Sequence, residues 1–305
     1  MDEIQKRLLE EVADLHEVPE GAYNIRTNGK TDARNSTAGI EITGKEDASG
    51  IDIRIKDNVV KESVHIPVVL SESGLSETVY NDFYVGENCD VVIVAGCGIH
   101  NCGNQDSQHD GIHSFHIGRN SKVKYVEKHY GEGDGKGKRI LNPVTNVFLS
   151  ENAEMEMEMV QIKGVDSTDR KTFAKLEAGA RLVVRERLMT HGSQRADSSY
   201  EVLIEGDNAS VDLVSRSVAR DDSVQKFDSK IIGNSICHGH SECDAIIMDR
   251  ARVIALPSLD AGNVDASLIH EAAIGKIAGD QINKLMTLGL SREEAEEQII
   301  NGFLK

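Results

Sequence analysis

Two stretches of this chain concentrate side chains that bind soft or borderline metals. Cys237-His238-Gly239-His240-Ser241-Glu242-Cys243 sets two thiols and two imidazoles within seven residues, and Leu268-Ile269-His270-Glu271-Ala272-Ala273 adds an imidazole and a carboxylate. Thiolate and imidazole together suit zinc or iron, but the spacing fits no standard zinc motif. In an extended strand Cys237 and Cys243 share one face, while His238 and His240 share the other. Four ligands to one ion from this stretch alone would therefore need a loop. The competing reading makes Cys243 a small buried hydrophobe and the histidines surface residues. His270-Glu271 stands between apolar residues, and a carboxylate buried there needs a partner or a cation. A salt bridge to Lys276 or Arg252 is one solution; a ligand completing a cysteine site on the neighbouring strand pass is the other.

A second cluster runs through Cys97-Gly-Ile-His100-Asn-Cys102, then His109, His113, His116 and His129. So many imidazoles in a short span suit a zinc- or iron-dependent enzyme built on the His100 to His129 segment. The Gly, Asn, Asp and Gln between them equally suit a corner where polar side chains cap turns. Gly131-Glu-Gly-Asp-Gly-Lys-Gly-Lys138 resembles a phosphate cradle but lacks the spacing and terminal Ser or Thr of a P-loop, and reads as a mobile surface turn. Neither a nucleophile elbow nor a dinucleotide fingerprint is present.

The elements that must position these residues follow from periodicity. Residues 1–15 read as an amphipathic helix, with Ile4, Leu8, Leu9, Val12 and Leu15 at helical spacing, stopped by Pro19 and Gly21. From about Ala38 the period becomes two, as in Gly39-Ile-Glu-Ile-Thr, Ile51-Asp-Ile-Arg-Ile, Ala153-Glu-Met-Glu-Met-Glu-Met and Ala209-Ser-Val-Asp-Leu-Val. These are half-buried strands. Turns that align on Asn88, Asn120, Asn152, Gly179 and Asn208 recur 32, 32, 27 and 29 residues apart. Asn and Gly tolerate the left-handed backbone of a tight corner, and a strand-only unit repeating at this length predicts a right-handed parallel β-helix. An antiparallel sandwich is the rival fold. The last thirty residues return to helix: Asp280 is placed to cap the first, Gly289 ends it, and Ser291 with Glu294 forms a capping box for the second. Leu285, Met286, Leu288, Leu290, Ile299, Ile300, Phe303 and Leu304 exceed what two short helices bury between themselves, which leaves apolar surface for a partner. The chain thus divides into an N-terminal helix and linker (1–37), a mainly β core (38–278) and a C-terminal helical pair (279–305).

Composition narrows the function classes. A formal charge of −17 and a pI near 5.1 leave no excess of Lys or Arg for phosphates, which argues against nucleic acid and anionic membrane as partners. No apolar run spans a bilayer and the N-terminus lacks signal-peptide order, so a cytoplasmic location is expected. There the five cysteines are free thiols, ligands or nucleophiles rather than disulfides.

The run Gly239-His-Ser-Glu-Cys243-Asp-Ala, the later His270-Glu-Ala-Ala-Ile-Gly-Lys-Ile-Ala-Gly-Asp-Gln, and the ending Gly289-Leu-Ser-Arg-Glu-Glu-Ala-Glu-Glu-Gln-Ile-Ile-Asn-Gly-Phe resemble the SufB/SufD family of iron–sulfur cluster assembly scaffolds. The resemblance is specific in the C-terminal hundred residues and architectural from about 80 to 230. It implies a parallel β-helix ending in a helical pair, with Cys243 and Glu271 matching the cysteine and glutamate on which a nascent cluster is built. It also implies that the C-terminal helices dock a SufC-type ABC ATPase. Cys237, His240 and His270 are the neighbouring candidate ligands. Thiolates hold clustered iron, whereas a carboxylate binds it less well, so a mixed set suits a transient [4Fe-4S] cluster that is handed on to recipient apoproteins. A homodimer would bring Cys243 and Glu271 from each copy together at a two-fold axis, with two ATPase subunits beside it. ATP would act only through that partner. The chain lacks the long N-terminal domain of larger scaffolds and any cysteine between Cys102 and Cys237, which leaves the sulfur route to Cys97, Cys102, Cys237 or free sulfide. Two rivals stand beside this reading: the metal-dependent enzyme above, and an interaction protein whose cysteines are only core residues.

Overall fold

The computed structural model describes residues 3–13 and 19–305. Helix α1 (Glu3–Ala13) is followed by β1 (Ala22–Thr27), β2 (Lys30–Asn35), β3 (Ile40–Gly44), β4 (Gly50–Ile55), β5 (Val60–Leu70), β6 (Ser76–Val85), β7 (Asp90–His100), β8 (Ser107–Ile117) and β9 (Lys122–Glu132). The chain continues through β10 (Arg139–Leu141), β11 (Val144–Leu149), β12 (Glu154–Lys163), β13 (Ser167–Leu176), β14 (Arg181–Thr190), β15 (Arg195–Ile204), β16 (Ser210–Ala219), β17 (Val224–Gly233), β18 (His238–Ile247), β19 (Arg252–Ala261) and β20 (Ser267–Gly275). Helices α2 (Gly279–Thr287) and α3 (Arg292–Phe303) end it.

Successive passes alternate between two ten-stranded sheets, ordered β2-β1-β5-β7-β9-β12-β14-β16-β18-β20 and β19-β17-β15-β13-β10-β8-β6-β4-β3, with β11 pairing β8 and β13. From β5 onward every pairing is parallel, which makes the expected β-solenoid of about eight turns. Corners form where the sequence repeat placed them: Asn88, Asn120, Asn152, Gly179 and Asn208 have φ of 55, 57, 56, 66 and 62°. Their side chains also stack, Asn120 Nδ2 donating to Asn88 Oδ1 at 3.3 Å. Alternation decides the faces. In β12, Met155, Met157 and Met159 point into the core, while Glu154 and Glu158 point out to Lys122 and Lys124 at 3.2 and 2.9 Å.

Three local expectations change. Residues 22–35, expected as linker, form a hairpin turning at Asn28-Gly29 (φ 48° and 80°), and β1 pairs in parallel with β5, so the solenoid starts before residue 38. Two consecutive residues at positive φ are what a two-residue hairpin turn needs. The glycine-rich loop is not a free turn: Gly135 N donates to Asn101 O (3.2 Å) and Gly137 N to Gly103 O (3.0 Å). A Cβ at Gly133, Gly135 or Gly137 would lie 2.0–2.3 Å from the backbone beneath, so glycine permits this close stacking. Asp280 lies inside the first turn of α2, whose N-cap is Ala278 without a side-chain hydrogen bond. By contrast Ser291 and Glu294 close the capping box (Glu294 N to Ser291 Oγ 3.2 Å, Ser291 N to Glu294 Oε2 2.7 Å), and Gly289 follows α2 at φ 99°.

Leu8 and Leu9 bury the inner face of α1 against Ile25 and Val69 of the first turns, and Val12 packs over Gly96 and Gly98 of β7; Leu15 lies outside the described residues. At the other end α3 folds back on the flank of the solenoid. Ile300 and Leu304 pack on Val218, with Met189, Ile246, Met248 and Ile277 around them. Met286 (42%) and Leu288 (73%) stay exposed. Neither helix caps the final turn, so β19 and β20 are terminal strands with Leu256, Leu259, Ile269 and Ile274 exposed. No helix among the described residues is long and apolar enough to cross a membrane.

Candidate functional site

Strand β18 carries the first chemical stretch, and its parity separates the candidate ligands. Gly239, Ser241, Cys243 and Ala245 are buried inward, whereas His240, Glu242 and Asp244 face out. Cys237 precedes the strand, fully buried in the same core. Strand β20 pairs in parallel so that Ser241 opposes His270, Glu242 opposes Glu271 and Cys243 opposes Ala272. In parallel pairs opposed residues share a face. Cys243 and His270 therefore lie inside, and Glu271 lies outside with His240; a single copy does not bring Cys243 and Glu271 together. Because β20 is terminal, Glu271 is exposed rather than buried, and its partner is His240 instead of Lys276 or Arg252.

On the outer face His240 Nδ1 meets Asp212 Oδ1 at 2.8 Å and Nε2 meets Glu271 Oε2 at 3.4 Å. The Asp212 hydrogen bond, with help from Glu271, raises the His240 pKa against the opposing effect of burial. Ligand atoms of His240, Glu242 and Glu271 lie within 4.8 Å of one another, the one such trio among the described residues. An imidazole with two carboxylates suits a divalent first-row ion.

The inner face is different chemistry. Burial, then the charges of Glu186 and Asp244, push the Cys243 thiol up to about 12, so it is protonated in this conformation. Its strand neighbour Ser215 donates to Glu186 Oε2 at 2.8 Å, and Ser198 and Tyr200 donate to Oε1 at 2.6 and 3.0 Å. Arg170 lies between this carboxylate (3.7 Å) and Glu127, which it contacts closely. His270 Nδ1 is buried with no hydrogen-bond partner. The inward set is thus a shielded thiol and an unsatisfied imidazole at the uncovered end of a polar column.

That column was not read from the sequence. The parity of Leu182, Val184, Glu186 and Leu188 signals an inward carboxylate, but its partner Arg170 comes from the opposite sheet, a pairing no local pattern records.

The His100 to His129 cluster disperses. Cys97, His109, His113, Glu127 and His129 line a small cavity of about 20 Å³, room for roughly one water. His113 bridges Asn81 (3.2 Å) and Tyr125 (2.9 Å), and burial lowers its pKa to about 4. His116 faces out, stacked between Tyr84 and Phe148. His100 pairs with Cys102 and Glu132 at the surface. Strand parity turns His116 away from this cavity, and no three metal-binding side chains around it bring ligand atoms within 4.8 Å of one another.

Residues 81–303, from β6 to the end of α3, match the family described as SUF system FeS cluster assembly, SufBD core domain. The chain is 31% identical over 281 residues to an iron-sulfur cluster assembly SufBD family protein of Pyrococcus horikoshii, covering 88% of this chain and 82% of that protein. A relative of the same description from Methanocaldococcus jannaschii is 27% identical over 273 residues (87% and 84% covered). One from Archaeoglobus fulgidus is 26% identical over 265 residues (85% and 69% covered). With the parallel solenoid, the helical pair and a match through both chemical stretches, this chain belongs to the SufBD family, whose role is iron–sulfur cluster assembly.

Proposed function

We propose that two copies of this chain assemble a transient iron–sulfur cluster, of the [4Fe-4S] type, and pass it to recipient apoproteins. The observation that carries this reading is the placement of both ligand sets, Cys243 with His270 inside and His240 with Glu271 outside, on the two strands at the uncovered end of the solenoid. An edge with unpaired backbone groups and exposed Leu256, Leu259, Ile269 and Ile274 favours pairing with a second copy. The cluster is cargo: soft thiolate from Cys243 binds iron, and the weaker carboxylate of Glu271 lets it go.

A protonated interior thiol becomes a ligand only when the last turn opens. A role for α3 in that opening is supported by its packing on Ile246, three residues from Cys243 on the same strand. A SufC-type ABC ATPase, two subunits to two scaffolds, would move the helices through exposed Met286 and Leu288. ATP hydrolysis belongs to that partner, because this chain has no P-loop. The complex works in the cytoplasm, without nucleic acid or membrane.

Co-purification with such an ATPase tests the docking. Met286→Glu with Leu288→Glu alters only exposed positions and is expected to leave the fold intact while weakening the complex at least ten-fold, a loss of more than about 1.4 kcal/mol. Unchanged binding would remove the helical pair from the interface.

A further inference from the structure

Far along the same sheet from β20, with five strands between them, strand β7 ends in His100 and the chain turns through Cys102. Cys102 is the exposed cysteine among five; the others are buried. Its Sγ lies 3.0 Å from His100 Nε2, and His100 Nδ1 lies 2.8 Å from Glu132 Oε1 on β9. Arg7 of α1 contacts the same Glu132 oxygen, and Tyr130 OH donates to its Oε2 at 3.4 Å. Thiol, imidazole and carboxylate are therefore in line, each within reach of the next, as an activated nucleophile requires. We propose that Cys102, His100 and Glu132 form a nucleophilic thiol site that accepts sulfane sulfur from a persulfide. The idea rests on the scaffold reading for its purpose, since a cluster needs sulfur as well as iron, but its chemistry stands on this geometry alone.

The surroundings hold the site ready. Asn101 Nδ2 donates to Gln105 O at 2.8 Å and Gly103 N donates to Asn101 Oδ1 at 3.0 Å, fixing the loop around Cys102. The glycine-rich segment stacks on that loop from the next turn, so the thiol sits on rigid backbone. Partial burial acts to raise the Glu132 carboxyl, but hydrogen bonds from Arg7 and His100 outweigh it and hold the group below its ordinary value. Glu132 is thus an anion that orients the His100 ring through Nδ1, leaving Nε2 turned to the thiol. A hydrogen bond from the Cys102 thiol also lowers the Asp134 carboxyl, so an anion faces the thiol and favours its protonated form, which leaves proton removal to His100. Other charges reach this cluster from its edge: Glu11 acts on Arg7, and Lys163 lies 5.2 Å from the Tyr130 ring.

In the transfer step His100 Nε2 takes the Cys102 proton, and the thiolate attacks the outer sulfur of a donor RS–SH. The donor S–S bond breaks as the new Cys102–S–SH bond forms. The electron pair leaves on RS⁻, which receives the proton from His100. One thiol and one persulfide give one persulfide and one thiol, with no external oxidant. His100 is the base, and Glu132 is a positioning residue acting through it.

The test uses the full chain under anaerobic conditions with glutathione persulfide as donor, and peptide mass spectrometry to locate the added sulfur. One sulfur atom is expected on the peptide bearing Cys102, absent in Cys102→Ser. Alkylation of Cys102 by iodoacetamide at neutral pH should slow by on the order of ten-fold in His100→Gln. Glu132→Gln should shift the pH profile of that rate, and Glu132→Asp should restore part of it, which a merely structural role would not do. Sulfur on no cysteine, or alkylation as fast in His100→Gln as in the wild type, overturns the proposal. Neither readout needs iron. Failure here together with a cluster built from free sulfide would leave the scaffold reading standing; sulfur on Cys102 in a protein that builds no cluster would support this site and remove that reading.

Discussion

Replacing Arg170 with methionine is expected to cost about 3–5 kcal/mol of stability, seen as a lower denaturant midpoint at neutral pH. Arg170 is buried between Glu127 and Glu186, and it contacts the first closely and the second at 3.7 Å. Removing its charge leaves two carboxylates in the core, one still satisfied by Ser198, Tyr200 and Ser215 and the other by Tyr125 and His129. Burial favours the neutral form of Glu127, but Arg170 outweighs it and holds the carboxyl well below its ordinary range. A carboxylate depressed in the folded state contributes stability above the unfolded value, near 4.5, which is lost as pH falls through that region and below. The sign reverses in Arg170→Met, where the unpaired buried carboxyl favours its proton. The variant should therefore gain stability between pH 7 and 5 relative to wild type, measured by denaturant unfolding at both values. A loss below 1 kcal/mol, with an unchanged pH slope, would mean that water reaches the column and pairs the carboxylates.

Cys243→Ala is expected to separate ligand from packing. The side chain is 1% exposed, and deleting one sulfur from the core should cost roughly 1 kcal/mol. Iron bound after anaerobic reconstitution should fall on the order of ten-fold or more, since even the supporting partners of metal ligands carry that much affinity. Cys243→Ser, which keeps the shape and loses the soft donor, should behave the same way. Glu271→Gln should lower cluster lifetime more than initial loading, because the carboxylate is the weaker ligand. Equal iron content in wild type and Cys243→Ala would make Cys243 a core residue, leaving the outer His240, Glu242 and Glu271 trio as the metal-binding set.

Much of the fold was legible because it repeats. Asn88, Asn120 and Asn152 are read at once as corners, since few other residues accept their backbone, and the Met155 to Met159 alternation fixes which side is inside. The same parity rule placed Cys243 and His240 on opposite faces. What depends on register between distant strands was not legible. Glu271 meets His240 only because β20 pairs with β18 in one alignment, and the strand spelling of Ile269-His270-Glu271 looks buried until β20 proves terminal. The Asn28-Gly29 hairpin carried its own turn signal, yet sat in a segment with too little apolar alternation to read as a sheet edge. Cys102, His100 and Glu132 were visible as residue types, but their alignment needs the turn length that stacks β9 on β7.

The most direct test of cluster assembly is anaerobic reconstitution of the wild-type chain with ferrous iron and sulfide, followed by mixing with an apo-ferredoxin while visible absorbance and iron on each protein are recorded. The expected result is a brown cluster spectrum on a dimer of this chain that fades as the ferredoxin gains its own spectrum and activity. Iron that binds without a cluster spectrum, or a cluster that stays on this chain while the ferredoxin remains empty, would contradict the assignment of this protein as a scaffold.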